Sequence, residues 1–443
     1  MAHRGKSTLL LEVFMNKRLR AKIRIERDKL NKAARRVARC AAYDDFNRVI
    51  TIQHFTKSLL RCQPGVRWKK SVQRYNCSSI TNIYRDYQIL LEGSPPPSTG
   101  DREIVIYERG KPRVITPIHI RDRVMQKVLC EDSLVPMIRD RLIYDNGASM
   151  KNKGVEFTRK RLEHHLYNAI REYGPVFHIL AYDFKGYFDS IPHSTCRRVL
   201  QNLYHDERLI HMLMEFIKSP FYCRIRKIED KDERERQLRL LREDKMCGIC
   251  LGSQISQSMA LIVPNAIDHF IMDQMGFRHY VRYMDDGVVM AKTKEELVEL
   301  LDKLKPICDS LGLRFNERKT HITKSTHGFT FLKVRYYVTD TGKMVKNLTR
   351  KNITRMRRKL RKFRKKVDSG EMTLENVYDS MQSWLAHANV AMSYHTQRTM
   401  LKLYNELFCG YRLTKKYDHI KGGKNGELLQ TDKWAEYRWS CIQ

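Results

Sequence analysis

Asp285 and Asp286 stand side by side in Arg282-Tyr283-Met284-Asp285-Asp286-Gly287, between the run Phe277–Val281 and the apolar Val288-Val289-Met290. Flanks of this length read as two short β-strands, which puts both carboxylates on the turn that joins them. Two ionised carboxylates on one tight turn repel each other and lose solvation, a situation tolerated mainly where a hard cation lies between them. Aspartate and glycine are also ordinary hairpin residues, so these six positions alone fit a plain turn equally well. A third carboxylate shifts the balance. His178-Ile179-Leu180-Ala181-Tyr182-Asp183 reads as an apolar strand that delivers Asp183 at its end, far upstream of the first pair. Phosphoryl transfer assisted by two metal ions needs carboxylates from separate strands, holding the ions about 4 Å apart. Asp183, Asp285 and Asp286 supply such a set.

Other elements must bring these strands together around a substrate. Glu103–Arg109 and Arg113–Ile118 read as strands joined at Gly110-Lys111-Pro112, a hairpin whose basic tip is either a phosphate clamp or an exposed turn. The polar loop Asn146–Gly154 leads into a helix over Phe157–Tyr173, and its lysines face either phosphates or solvent. Arg224–Lys245 alternates in charge and reads as an exposed helical insertion. Gly248-Ile249-Cys250-Leu251-Gly252-Ser253-Gln254-Ile255-Ser256-Gln257 opens a helix, with glycines that let backbone approach a base pair closely. Lys294–Leu311 repeats Leu297, Leu300, Leu301 and Leu304 at helical spacing. In Lys343–Lys366, Ile353, Met356, Leu360 and Phe363 recur at that spacing among cations, so one face is buried while Arg357, Arg358 and Arg361 are offered to a duplex groove. Met381–His387 and Ser393–Phe408 complete a small helical bundle. Gly93–Gly100, rich in proline, is a connector.

Lysine and arginine number 84 against 50 acidic residues, a formal charge of +34, and the partners that suit such a surface are nucleic acids or anionic membranes. No apolar run approaches the roughly 20 residues of a membrane span, and the start lacks a signal peptide, so a cytoplasmic protein without membrane contact is expected. Leu9–Leu60 reads as basic amphipathic helices, an RNA-binding arm or a solvated face. Arg67, Trp68, Lys69 and Lys70 interleave cations with an aromatic ring, as a grip on a nucleic-acid strand would, although a ring anchored in the core has the same pattern. Eleven cysteines without repeating spacing suggest reduced thiols, and the single Cys247-x-x-Cys250 pair, with no partner pair or nearby histidines, is a poor zinc site.

The ordered series of motifs from Lys111 to Leu332 resembles reverse transcriptases of the bacterial retroelement type. Tyr283-Met284-Asp285-Asp286 matches the family's Tyr-x-Asp-Asp box, and the Asp183 segment matches its first palm motif. The resemblance implies an α/β fold with an α+β palm: a right-hand polymerase with fingers, a ferredoxin-like palm and a helical thumb. The expected boundaries are a basic helical N-terminal extension at 1–100, fingers at 101–180, palm at 181–337 with the charged insertion at 224–246, and thumb and tail at 338–443. It also implies site roles. Asp183 and Asp285 ligate two Mg²⁺ ions, with Mn²⁺ as a substitute and Asp286 in support. Lys111 and Arg113 clamp the incoming triphosphate from the finger hairpin, and Lys319 neutralises or protonates the leaving pyrophosphate. Phe188 is the steric gate that excludes a ribose 2′-hydroxyl, which makes deoxynucleotides the expected substrate. Asp122 braces the fingers.

Two motifs depart from the common pattern. Cys250-Leu251-Gly252 stands where most relatives carry Pro-Gln-Gly, and Gln257 replaces the proline that follows the serine; this apolar-Gly-x-x-x-Ser-Gln form resembles diversity-generating and defence-associated enzymes. Leu251, lacking the amide of the usual glutamine, points to relaxed fidelity. Lys333 replaces the glycine of the Phe-Leu-Gly motif that holds the primer. The expected activity is RNA-directed DNA synthesis on a dedicated structured noncoding RNA, with deoxynucleoside triphosphates and a DNA primer or product as further partners. An RNA-dependent RNA polymerase and an RNA-binding maturase or folding factor are the alternatives, and the sequence sets no oligomeric state.

Overall fold

In the computed structural model, the described residues are 40–93, 103–108, 111–408, 411–414 and 438–441, with Arg27 and Ala38. The expected basic arm before Cys40, the connector at 94–100, the hairpin tip at 109–110, and Trp434 and Tyr437 lie outside them. Two compact units emerge, one of residues up to Arg161 with Tyr182–Gly287 and Val298–Thr320, the other of Leu162–Ala181, Val288–Leu297 and the chain from His321 onward.

The first unit begins with helices Phe46–Val49, Ile52–Cys62, Lys70–Cys77 and Ser79–Leu91. Asp45 and Thr51 cap the first two, each accepting hydrogen bonds from free N–H groups of the opening turn. Tyr75 donates to Asp86 (2.8 Å), and Arg121 from the helix Ile120–Leu129 reaches the other oxygen of the same carboxylate (2.6 Å). One buried acid therefore joins the N-terminal helices to the next element. Strands β1 (Ile104–Glu108) and β2 (Lys111–Ile115) form an antiparallel ribbon in the register Ile106 to Arg113 and Tyr107 to Pro112. Lys111 and Pro112 thus belong to the strand rather than to the turn, and proline is tolerated because a two-stranded ribbon leaves an outer edge without a ladder partner.

The helix Val155–Tyr173 follows the 140–154 loop. That loop is less exposed than its polarity suggests, for Asn146 and Ala148 are fully buried. Helices His193–Leu203, Glu207–Ile225 and Lys231–Arg242 come next. The last is the charged insertion, but it is not simply exposed. Leu241 packs in a small core with Phe221, Ile225 and Cys250, while Asp244 at its end binds Arg197 and Lys218. Alternating charge revealed the solvent face and hid Leu238, Leu241 and Asp244, which dock it. The helix Gln254–Ile262 and the short Asn265–His269 lead into β4 (Tyr280–Tyr283) and β5 (Asp286–Ala291).

β3 (His178–Tyr182) and β6 (His321–Lys324) complete a four-stranded sheet in the order β4-β5-β3-β6. β3 and β6 pair antiparallel, with Leu180 opposite Ile322. Near-continuous apolar runs, as in β3 and β5, suit strands covered on both faces, and four of the five β3 residues and five of the six in β5 are buried.

In the second unit, β7 (Phe329–Phe331), β8 (Val334–Val338) and β9 (Met344–Leu348) form an antiparallel meander. The turn between β7 and β8 holds Leu332 and Lys333 at φ +44° and +72°. Lys333 adopts the left-handed backbone that the family's glycine would take without strain. Met344–Leu348, read above as the start of a helix, is a strand; the helix starts at Arg350, where Thr349 caps it by accepting from Asn352 N–H (3.3 Å). Helices Arg350–Asp368, Leu374–Ala388 and Tyr394–Leu407 bury Met356, Leu360, Met381, Leu385, Met400 and Tyr404 against one another. Arg357, Arg358 and Arg361 are exposed on the opposite face. A further ribbon pairs β10 (Tyr411–Thr414) with β11 (Arg438–Cys441), which sequence periodicity did not suggest.

Leu360 is fully buried and Arg361 exposed on adjacent positions of one helix. Leu360→Ala is expected to destabilise the chain by about 3 kcal/mol through lost burial and a residual cavity, and Arg361→Ala by less than about 0.5 kcal/mol. Urea unfolding of the two variants measures the contrast.

Candidate active site

Asp183 leaves the end of β3 with its backbone held by a neighbouring segment. Its carbonyl accepts from Asn316 N–H (2.7 Å), Lys185 N–H donates to the Arg314 carbonyl (2.8 Å), and Phe184 forms an antiparallel bridge with Phe315. The two phenylalanine rings stack, with centroids 5.4 Å apart. This short ladder carries the following turn to the carboxylate. Lys319 Nζ donates to one Asp183 oxygen at 2.5 Å and Asn316 Nδ2 to the other at 3.0 Å. Lys319 was among the expected site residues. No spacing rule singles out Asn316.

Asp285 and Asp286 come from the β4–β5 turn, with Met284 at φ +53° in the left-handed region. That conformation costs a residue with a side chain about 1–2 kcal/mol. Gly287 follows because a Cβ there would overlap the Tyr182 ring, whose hydroxyl is hydrogen-bonded to that of Tyr280 (2.6 Å). The 140–154 loop supports β4 from its outer edge. Arg282 N–H donates to the Asp145 carbonyl (3.2 Å) and its carbonyl accepts from Gly147 N–H (3.1 Å).

The electrostatics follow from crowding. Burial raises the Asp285 carboxyl above the ordinary range, with Asp183 adding to it and Lys319 and Arg113 opposing it. Asp286 is pushed up to about 8, first by burial, then by the charge of Asp285 and by a hydrogen bond with Asp183. For Lys319, burial works against the charged form, but the bond to Asp183 and the other two carboxylates hold the ammonium above its usual value. Two neighbouring carboxyls with raised proton affinity, Asp285 and Asp286, beside a third hard oxygen donor at Asp183 are the chemistry that a divalent Mg²⁺ or Mn²⁺ relieves, so the residues fit such ions. Among the described residues no three side chains already form a coordination sphere. Lys319 and Asn316 each donate to one Asp183 oxygen, and the ammonium opposes the charge of the carboxylates.

The other expected site residues are spread over the Asp183 segment, the glycine loop with its helix, and β2. The half-buried Phe188 lies five positions on from it, and its carbonyl accepts from Ile249 N–H (2.8 Å). Gly248 N–H donates to the Ile191 carbonyl (2.8 Å), and Thr116 N–H to the Leu251 carbonyl (3.4 Å). The glycine loop is thereby laid between the Asp183 segment and the chain that follows β2. Gly252 has φ +112°, and a Cβ there would come within 2.9 Å of the Thr116 carbonyl oxygen, so a side chain would push the two strands of chain apart. Leu251 is half-buried and Gln257 exposed on the helix that Ser253 caps. Arg113 is exposed on β2, close enough for its charge to reach Asp285. Lys111 opens the same strand. A groove of about 970 Å³ runs on from Lys319, lined by Lys185, Lys305, Arg314 and Arg318 against Asp309 and Glu317. Arg67, Trp68, Lys69 and Lys70 form a separate exposed patch, with Trp68 73% accessible and the Lys69 ammonium 5.7 Å from its ring; the buried aromatic of that segment is Tyr75. Cys247 is exposed and Cys250 buried, and neither belongs to a metal cluster among the described residues.

Residues 99–336 match the profile of the reverse transcriptase (RNA-dependent DNA polymerase) family. The chain belongs to that family. Its fold is the reverse transcriptase palm, mixed helix and sheet. No curated protein sequence matches it. Among solved structures it is similar to apo telomerase from Candida tropicalis truncated from its C-terminal domain, at 14% identity over 61% of this chain and 60% of that one, with a TM-score of 0.40. It is also similar to telomerase from Candida albicans in complex with a TWJ fragment of telomeric RNA, at 12% identity over 74% and 65%, with a TM-score of 0.38. The chain thus spans less than two thirds of the length of either. Among the described residues no helix is long and apolar enough to cross a membrane.

If the Tyr182 ring is what forbids a side chain at position 287, Gly287→Ala should destabilise the chain by about 2 kcal/mol through overpacking. The same substitution in a Tyr182→Leu background should be much less damaging, a coupling that a double-mutant cycle by urea unfolding reads directly.

Proposed function

We propose that this chain is an RNA-directed DNA polymerase: the 3′-hydroxyl of a primer attacks the α-phosphate of a deoxynucleoside triphosphate paired to an RNA template, and pyrophosphate leaves. The observation that carries this reading is the convergence of Asp183, Asp285 and Asp286, with Lys319 bonded to the first, inside a chain of the reverse transcriptase family. Divalent ions held by Asp183 and Asp285, with Asp286 beside them, would lower the pKa of the attacking hydroxyl and stabilise the leaving group.

The chain's own residues do the rest. Lys111 and Arg113 on β2 neutralise triphosphate oxygens, the guanidinium by a planar fork and the ammonium as a point charge. Lys319 offers a proton or a full positive charge to the departing pyrophosphate, and the cationic groove beyond it, with Lys185, Arg314 and Arg318, suits the same polyanion. The Phe188 ring excludes a 2′-hydroxyl in this reading, since a rigid aromatic discriminates by exclusion. Leu251 and Gln257 border the nucleotide on the helix side, and the apolar Leu251 relaxes base selection because it cannot restrain the substrate by hydrogen bonding. Arg67, Trp68, Lys69 and Lys70 grip single-stranded template by stacking and charge, and Arg357, Arg358 and Arg361 meet the duplex product. In this reading residues 101–180 act as fingers, 181–337 as palm and 338–443 as thumb and tail. The Leu251-Gly252-x-x-x-Ser256-Gln257 pattern favours a dedicated noncoding RNA as template, in a diversity-generating or antiviral system.

Replacing Asp285 and Asp286 together by alanine should reduce DNA synthesis to background while leaving RNA affinity within about twofold, because the charged surfaces that bind RNA lie elsewhere. Primer extension and filter binding on one preparation decide it; loss of RNA binding together with synthesis would assign the aspartates to folding. Phe188→Ala should admit ribonucleotides, lowering the preference for deoxynucleotides by roughly 10²-fold or more in kcat/KM. Unchanged sugar selectivity would remove Phe188 from the nucleotide pocket.

A further inference from the structure

Arg282 is a cation in the middle of β4, and its side chain is fully buried beside an equally buried Asp268. Its guanidinium makes four bonds. Nε and Nη2 donate to the two Asp268 oxygens at 2.7 Å each, Nη2 also donates to the Leu261 carbonyl at 2.9 Å, and Nη1 donates to the Met284 carbonyl at 3.0 Å. Asp268 is oriented in turn by the Tyr280 hydroxyl at 2.7 Å, which is bonded to Tyr182.

Stability alone does not account for such a pair. Two charges taken out of water lose most of what their attraction returns, and an apolar pair of similar volume is often as stable or more so. An apolar pair has no donor for the Met284 carbonyl. That carbonyl belongs to the left-handed residue directly before Asp285, so its direction and the direction of both carboxylates are set by the same peptide planes. The main chain of Arg282 is held separately, by Asp145 and Gly147, so the strand does not depend on the side chain for its place. Leu261 lies on the helix that begins beside Leu251 and carries Gln257, and the same guanidinium therefore links the aspartate turn to the nucleotide side of the site.

We propose that Arg282, oriented by Asp268, is a positioning residue: it fixes the Met284 peptide so that Asp285 and Asp286 face Asp183, and it couples that turn to the Gln254–Ile262 helix. The proposal rests on the polymerase reading only for what the geometry is used for.

The test replaces the pair by apolar residues of similar size, Arg282→Met with Asp268→Leu, and separately makes Arg282→Lys, which keeps the charge for Asp268 but loses the fork that reaches Met284 and Leu261 together. Each variant is followed by thermal unfolding, by primer–template binding, by steady-state kinetics and by Mn²⁺ binding in electron paramagnetic resonance. The expected result is a folded protein with duplex affinity within about twofold, kcat lower by about 10²-fold with KM for the nucleotide changed far less, since misplacement by about 1 Å costs on that order, and Mn²⁺ bound several-fold more weakly. A folded variant of either kind with the parent's kcat and Mn²⁺ affinity overturns the proposal, and so does loss of folding in both, which would make the pair a folding element. Were the parent chain to make no DNA at all, the polymerase reading would fall, while the Mn²⁺ measurement would still judge Arg282.

Discussion

Three carboxylates that share one partly buried place repel each other, and each also loses hydration there. Burial and repulsion together favour protonation of Asp285 and Asp286, and Asp286 stands at the extreme because to its burial are added Asp285 as a chain neighbour and Asp183 within hydrogen-bond reach. A chain holds such a group together only if rigid elements on every side prevent it from relaxing outward. Here the short ladder of Asp183–Lys185 with Arg314–Asn316 fixes one carboxylate, and the β4–β5 turn fixes the other two. The Lys319 ammonium, bonded to Asp183, opposes part of the accumulated negative charge.

Charge is handled in two ways along the chain. Inside the first unit several buried ions are answered at hydrogen-bond distance: Asp86 by Arg121 and Tyr75, Asp244 by Arg197 and Lys218, Asp268 by Arg282 and Tyr280. The surplus of +34 is carried by exposed side chains such as those of the Arg350–Asp368 helix, whose inward stripe is held by Met356 and Leu360. Buried pairs set geometry, whereas exposed cations attract polyanions over a distance limited by salt screening. One unit therefore holds a site of defined shape, and a helix of the other presents charge.

The family match covers the strands and loops that build the site and stops short of the N-terminal helices and of the Arg350–Leu407 bundle. The N-terminal helices are nonetheless tied to the matched region through Asp86 and through Asp206, which accepts from Phe46 N–H (2.8 Å) while capping its own helix. Where the chain departs from its family the structure gives the local consequence. Lys333 takes up a backbone conformation suited to glycine, and Leu251 offers only its carbonyl, to Thr116.

What the sequence determined on its own was whatever is local in the chain or repeats with a period. Apolar runs located β3 and β5, leucine spacing located the helix Lys294–Ser310, and two aspartates on a turn with a third at a strand end gave the candidate site, because these signals depend on neighbours one to four residues apart. Boundaries failed where pairing across a hairpin decided them: Met344–Leu348 is a strand because β8 pairs with it, and Pro112 is in β2 because Tyr107 lies opposite. Only the tertiary structure supplied the partners of Asp183 at Asn316, of Gly287 at Tyr182 and of Arg282 at Asp268 and Met284. Arg282 read as the first residue of the turn stretch, and only the fold buries it within β4. What it answers could not be read, since a buried charge is satisfied by whichever atoms the fold brings within 3 Å, and their positions along the chain leave no periodic trace.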